Sequence, residues 1–197
     1  MQLTQRLKEH FDDHLEVTRR SAVALMAPLE AAIDRCYAAV CAKSKILACG
    51  NGGSAADSQH FVAELVGRFE RERQPVAAVS LTTDTSILTA VGNDYGFDQV
   101  FSRQVAALGQ PGDILLGIST SGNSANVLRA IEQAHACGMT VIALTGRDGG
   151  KIAQTLQDKD IHLCVPHQRT MRIQEMHILC LHLICEGMDA FILEDKP

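Results

Sequence analysis

The chain has 197 residues, 46% of them hydrophobic, and a formal net charge of −5. It is long enough for one domain with a full core, and it lacks the basic balance of a general nucleic-acid binder. Residues 1–17, MQLTQRLKEHFDDHLEV, are charged throughout with no apolar run. No stretch reads as a membrane span or signal peptide, so the cytoplasm is the expected location.

Residues 3–42 place Leu3, Leu7, Phe11 and Leu15, then Val23, Leu25, Met26, Leu29, Ile33, Tyr37 and Val40, at helical spacing. This predicts two helices with a break near Ala27-Pro28, since proline favours a helix's first turn. The first carries a thin apolar stripe, suited to packing on a partner subunit or across the domain.

From residue 43 onward, short apolar runs alternate with helical stretches. The runs at 45–49, 76–80, 113–118, 140–144 and 161–165 are short and mainly apolar, as strands buried on both faces of a parallel sheet are. Helices are expected near 54–67, 85–91, 97–108, 124–137, 149–156 and 170–192. The result is an α/β fold, a doubly wound five-stranded parallel sheet over 43–197 preceded by N-terminal helices over 1–42. The seven cysteines form no CxxC pair and lie mostly in apolar surroundings. They read as reduced core residues, not as a zinc site.

Ligands of doubly wound sheets bind at the carboxyl ends of the strands. There the first run ends in Gly50-Asn51-Gly52-Gly53-Ser54, the third in Ser119-Thr120-Ser121-Gly122-Asn123-Ser124, and the fourth in Thr145-Gly146-Arg147-Asp148-Gly149-Gly150. The serine-rich loop brings hydroxyls and backbone N–H groups to a helix start, where the dipole favours an anion. It has no lysine, unlike a Walker nucleotide loop. Simple helix capping is the plainer reading of the same residues. The glycine loop lets a ligand approach the backbone closely, or is only a tight turn. The third loop is either a turn or a further wall of the site.

His60 and Glu64 lie four residues apart on one helix face. They form either a surface pair or a set able to bind a metal or move protons. On the last helix Gln174, Ile178 and His182 follow one drifting stripe, with Glu175 and His177 beside it. A histidine in such apolar company needs a partner, and a satisfied core histidine is the plain alternative. Gln174 and His182 are about 12 Å apart along the axis, so one metal reaches both only if they lean together. Asp94, after Asn93, either caps a helix starting near Tyr95 or orients a substrate hydroxyl.

The run Gly50 to Phe61 resembles the SIS (sugar isomerase) family. So do Leu88-Thr89-Ala90 with Asn93-Asp94, Ile118 to Ser124, and Arg172-Ile173-Gln174-Glu175 followed by His177 and His182. The motifs occur in order over about residues 1–192 and are most similar to the phosphoheptose isomerase branch. The resemblance implies a flavodoxin-like domain in a homotetramer. It implies conversion of sedoheptulose 7-phosphate to D-glycero-D-manno-heptose 7-phosphate through an enediol, the opening step toward ADP-heptose and lipopolysaccharide core. Carried over, Asn51, Gly52, Gly53, Glu64, Asn93, Asp94, Ser119, Thr120, Ser121, Ser124 and Gln174 would contact the phosphorylated seven-carbon sugar. His60, Glu64, Gln174 and His182 would hold one Zn2+ per subunit, with Glu64 and His182 as the proton-transfer pair. Met171 departs from the pattern, since some members have an aspartate there that supports the catalytic histidine. The competing reading is a non-catalytic relative that binds the bacterial replication initiator, which Arg68-Phe69-Glu70-Arg71-Glu72-Arg73 resembles. That subgroup lacks the glutamate and second histidine present here as Glu64 and His182.

Overall fold

The computed structural model describes residues 2–194. Five parallel strands, β1 (Ile46–Gly50), β2 (Ala78–Ser80), β3 (Ile114–Ser119), β4 (Thr140–Gly146) and β5 (Ile161–Val165), form one sheet in the order β2-β1-β3-β4-β5. This is the flavodoxin-like order, in which the direction of winding reverses between β1 and β3 and opens a crevice there. Every residue of β1, β3 and β4 is buried, which accounts for their mainly apolar sequences. Alternate residues feed opposite layers. Ile46, Ala48, Ile114, Leu116 and Ile118 join the core beneath α1 (Leu3–Cys41), α2 (Gly53–Val66) and α7 (Thr170–Glu194). Leu47, Cys49, Leu115, Val141 and Ala143 join the core beneath α4 (Ser102–Leu108), α5 (Ala125–Ala136) and α6 (Gly150–Thr155). The cysteines are free, and Cys36, Cys49, Cys180 and Cys185 are buried.

Four expectations need correction. The N-terminal region is one helix, not two, with Pro28 inside it. An interior proline costs about 3 kcal/mol. The continuous buried stripe Val17, Ser21, Leu25, Leu29, Ala32, Cys36 and Ala39, packed on α7 and β5, offsets that cost. Ala24, whose carbonyl loses its amide partner to Pro28, is exposed, so water can solvate that group. Leu3, Leu7, Phe11 and Leu15 do not pack across the domain and remain exposed. The second strand is shorter than the predicted 76–80, because the Val76 amide donates instead to the Leu65 carbonyl at the end of α2, at 3.0 Å. The predicted helix over 97–108 is split into a 3-10 turn, Phe97–Gln99, and α4, with the Ser102 hydroxyl donating to the Gln99 side chain at the junction (2.9 Å).

α7 is long and apolar enough by composition to cross a membrane. Here it is a core helix, with Ile173, Met176, Leu181, Ile184 and Met188 buried in the domain and Arg172, His177 and Asp189 buried with them. His177 Nε2 donates to the Thr145 carbonyl (2.9 Å), and its Nδ1 is buried without a partner. Burial lowers the His177 pKa from 6.5 to about 4, against the raising effect of that bond. Neutral His177 therefore contributes stability in full above its unfolded pKa, and the contribution erodes as pH falls from 6.5 toward 4. The expected loss is about 3 kcal/mol. Urea unfolding across this range should show the loss, and His177→Gln should flatten the slope. His162, lowered in the same direction by burial, would supply the remainder.

Candidate active site

The register of the sheet aligns the three polar loops. Gly50 pairs with Ile118 and Ser119 pairs with Thr145, so the chain leaves β1, β3 and β4 at nearly one level. Gly52, with φ 57° and ψ −120°, turns the chain into α2 in a conformation suited to glycine. Gly53 matters for a different reason. A Cβ there would lie 2.5 Å from Gln174 Nε2, so the Gln174 amide of α7 rests directly on the first residue of α2. Asn51 exchanges two 2.8 Å amide hydrogen bonds with the buried Asn126 of α5. This pair ties the glycine loop to the serine loop, and one Asn51 N–H is left for another acceptor.

In the serine loop, Ser124 occupies the N-cap of α5 but its side chain makes no cap hydrogen bond. Its hydroxyl faces that of Ser119 at 2.8 Å instead. Simple capping therefore does not explain the loop. Hydroxyls and the positive end of a helix dipole converge as an anion requires. Thr120 and Ser121 are half-buried beside them, and Ser121 Oγ accepts from the Asn123 amide (3.2 Å). The third loop is the buttress. Ile152 N donates to the Gly122 carbonyl (2.9 Å) and Lys151 N to Asn123 Oδ1 (3.1 Å). Thr145 is itself buried, with its hydroxyl 2.7 Å from His162 Nε2.

The titratable groups meet where α2 crosses α7. His60 Nε2 lies 3.1 Å from Glu64 Oε1 and 3.2 Å from His182 Nε2. The Phe69 ring stands 5.6 Å from the His182 ring. Asp57, one turn before His60, has Oδ2 buried without a partner, and burial raises its pKa against the pull of His60. Asn126, Phe69 and Asp57 escaped the sequence reading; for Asp57 the i,i+3 spacing to His60 was the available signal.

His60, Glu64 and His182 are ligand types that zinc accepts. The contacts of His60 with Glu64 and with His182, at 3.1 and 3.2 Å, are hydrogen-bond distances around one His60 nitrogen. Among the described residues no three His, Cys, Asp or Glu side chains converge on one point. Gln174 is turned toward Gly53, nearly two turns of α2 from His60. The other predicted positions lie apart. Asp94 ends α3 (Thr85–Asp94) and caps no following helix. Asn93 Nδ2 donates to Asp94 Oδ1 (2.8 Å), and both are exposed. Glu175 is taken by His14 (2.7 Å) and by Arg172. An apolar groove of about 330 Å³ between α1 and α7 includes none of the site side chains.

The SIS domain family profile matches residues 9–146. The chain belongs to the SIS-domain family. As a member of that family it is 60% identical over 195 residues to the phosphoheptose isomerase of Bordetella avium, covering 99% of either chain. Its structure superposes on a phosphoheptose isomerase from Neisseria gonorrhoeae with a TM-score of 0.92 at 54% identity, over 96% of this chain and 100% of that one. A Francisella tularensis phosphoheptose isomerase gives 0.94 at 42% identity, over 96% and 99%. In this SIS domain the polar loops and the carboxylate–histidine set therefore sit in a fold shared from end to end with sugar-phosphate isomerases.

Proposed function

We propose that the chain is an aldose–ketose isomerase that converts sedoheptulose 7-phosphate to D-glycero-D-manno-heptose 7-phosphate, at the head of ADP-heptose synthesis for lipopolysaccharide core. The observation that carries this reading is the meeting of His60 and Glu64 with His182, across 122 residues of sequence. Full-length identity to phosphoheptose isomerases supports it.

The phosphate sits on the Ser119–Ser124 hydroxyls and the N-terminus of α5, which holds the distant C1 and C2 in register. Asn51, Gly52, Gly53, Gln174, Asn93 and Asp94 are assigned to the sugar hydroxyls. The Glu64 carboxylate takes a proton from C1. The C–H electron pair becomes the C1=C2 bond, and His182 delivers a proton to the carbonyl oxygen on C2, giving the enediol. Loss of the O1 proton then restores a carbonyl at C1, and a proton added to C2 completes the aldose. His60, Glu64 and His182 would hold a Zn2+, which would polarise the carbonyl and stabilise charge on the oxygens.

The reading extends to a cytoplasmic homotetramer. The exposed Leu3, Leu7, Phe11 and Leu15 on α1, with Leu179 and Leu183 on α7, support burial against further copies. Two measurements test the assignment. Purified protein should turn over sedoheptulose 7-phosphate, and absence of turnover overturns the function. A chelator should remove the activity and Zn2+ restore it, whereas activity indifferent to the chelator overturns the metal.

A further inference from the structure

Arg73 is the one basic residue of the Arg68–Arg73 segment that is buried, and its bonds converge on the catalytic helix. Nε donates to Asp189 Oδ1 of α7 at 2.8 Å, and both side chains are closed to solvent, at 1% and 0% exposure. Nη2 donates to the Glu64 carbonyl at 2.6 Å, and Nη1 donates to the carbonyls of Leu65 (2.7 Å) and Gln74 (3.2 Å). Glu64 and Leu65 lie in the last turn of α2, where carbonyls have no intrahelical partner and a positive charge complements the dipole. Asp189 follows His182 by seven residues, two turns along the same face of α7 and about 10 Å away.

A fully buried ion pair is a poor source of stability, because apolar side chains of similar volume hold two helices together as well or better. What a guanidinium adds is direction, since its planar fork fixes several acceptors in one geometry. The acceptors here are the backbone of Glu64 and a carboxylate on the helix that carries His182. We propose that Arg73 is a positioning residue for the isomerase reaction, an inference that rests on the function proposed above. It sets α2, with His60 and Glu64, at a defined height against His182 on α7, while Asp189 anchors its other end. The site residues carry the chemistry, and Arg73 acts through them without touching the sugar.

The test uses the full chain in two forms. Arg73→Met with Asp189→Leu replaces the pair by apolar groups. Arg73→Lys keeps a charge for Asp189 but loses the fork that reaches both carbonyls. Both are expected to fold. With sedoheptulose 7-phosphate, kcat should fall about 10²-fold, the cost of a misplacement near 1 Å. KM should stay within about threefold because the serine loop is untouched. Crystal structures of the wild type and the double variant should differ in the His60–His182 separation. A folded variant with wild-type kcat overturns the proposal, as does a double variant whose two imidazoles have not moved. If neither variant folds, the pair is a stability element and the proposal fails. Wild-type protein without turnover would refute the isomerase reading instead, and the crystal structure would still decide whether Arg73 positions α2.

Discussion

Glu64→Gln is expected to lower kcat for isomerisation by about 10²–10⁴-fold, the usual worth of a positioned general base. The substitution keeps the shape of the side chain and its hydrogen-bonding reach toward His60, and removes the carboxylate that would accept a proton from carbon and join the metal ligands. Glu64 is partly exposed, with 24% of its side chain open to solvent, so the change should leave stability within about 0.5 kcal/mol. The serine loop is elsewhere on the sheet edge, so KM should move little. This pattern, a large loss in kcat at nearly constant KM, marks an interaction made in the transition state. His182→Gln should behave alike. Turnover near the wild-type rate in either variant would remove that residue from the mechanism.

What could be read from the sequence follows from what is local. The strands β1, β3 and β4 announce themselves because burial on both faces leaves polar residues only at or next to their ends. Their order then puts the loops after Gly50, Ser119 and Thr145 on one edge, and this is a consequence of topology. Pro28 misled because a propensity of a few kcal/mol speaks for one residue. The buried stripe from Val17 to Ala39 speaks for the whole helix, and the packing won. The serine loop was legible as a cluster of hydroxyls, yet only the geometry tells capping from an anion site, since Ser124 turns toward Ser119 and not onto its own helix. The meeting of His60 with His182 was legible only through the family resemblance, and the other contacts between distant segments were not legible. Asn51 finds Asn126 across 75 residues, and Arg73 finds Asp189 across 116. Gln174 lies on Gly53, although its stripe on α7 suggested only that it faced the same way as His182. No periodicity encodes such partners, because each depends on how two helices meet after the sheet has formed.

Gly122→Ala should be among the most damaging single-methyl changes in the molecule. Gly122 has φ 66°, a left-handed conformation that costs about 1 kcal/mol or more with a side chain. The larger effect is steric. A Cβ at this position would stand 1.9 Å from the Gly149 carbonyl oxygen and 2.3 Å from its carbon. Both are backbone atoms, in the turn that starts α6. No rotamer relieves that contact, so the two loops must separate. Separation breaks the bond from Ile152 N to the Gly122 carbonyl and the bond from Lys151 N to Asn123 Oδ1. The expected destabilisation is about 3 kcal/mol or more, read as a drop in urea midpoint. Catalysis should report the same displacement in the opposite manner to Glu64→Gln. The serine loop shifts relative to the helix N-terminus, so inorganic phosphate should compete more weakly and KM should rise before kcat falls. Thermal and urea midpoints equal to wild type would mean that the loops do not brace one another. An unchanged KM in folded protein would remove the serine loop from phosphate binding. The contrast with Gly53 is instructive. There an added Cβ meets the far end of the flexible Gln174 side chain, which can turn aside. Gly53→Ala should therefore spare stability and disturb only what Gln174 does.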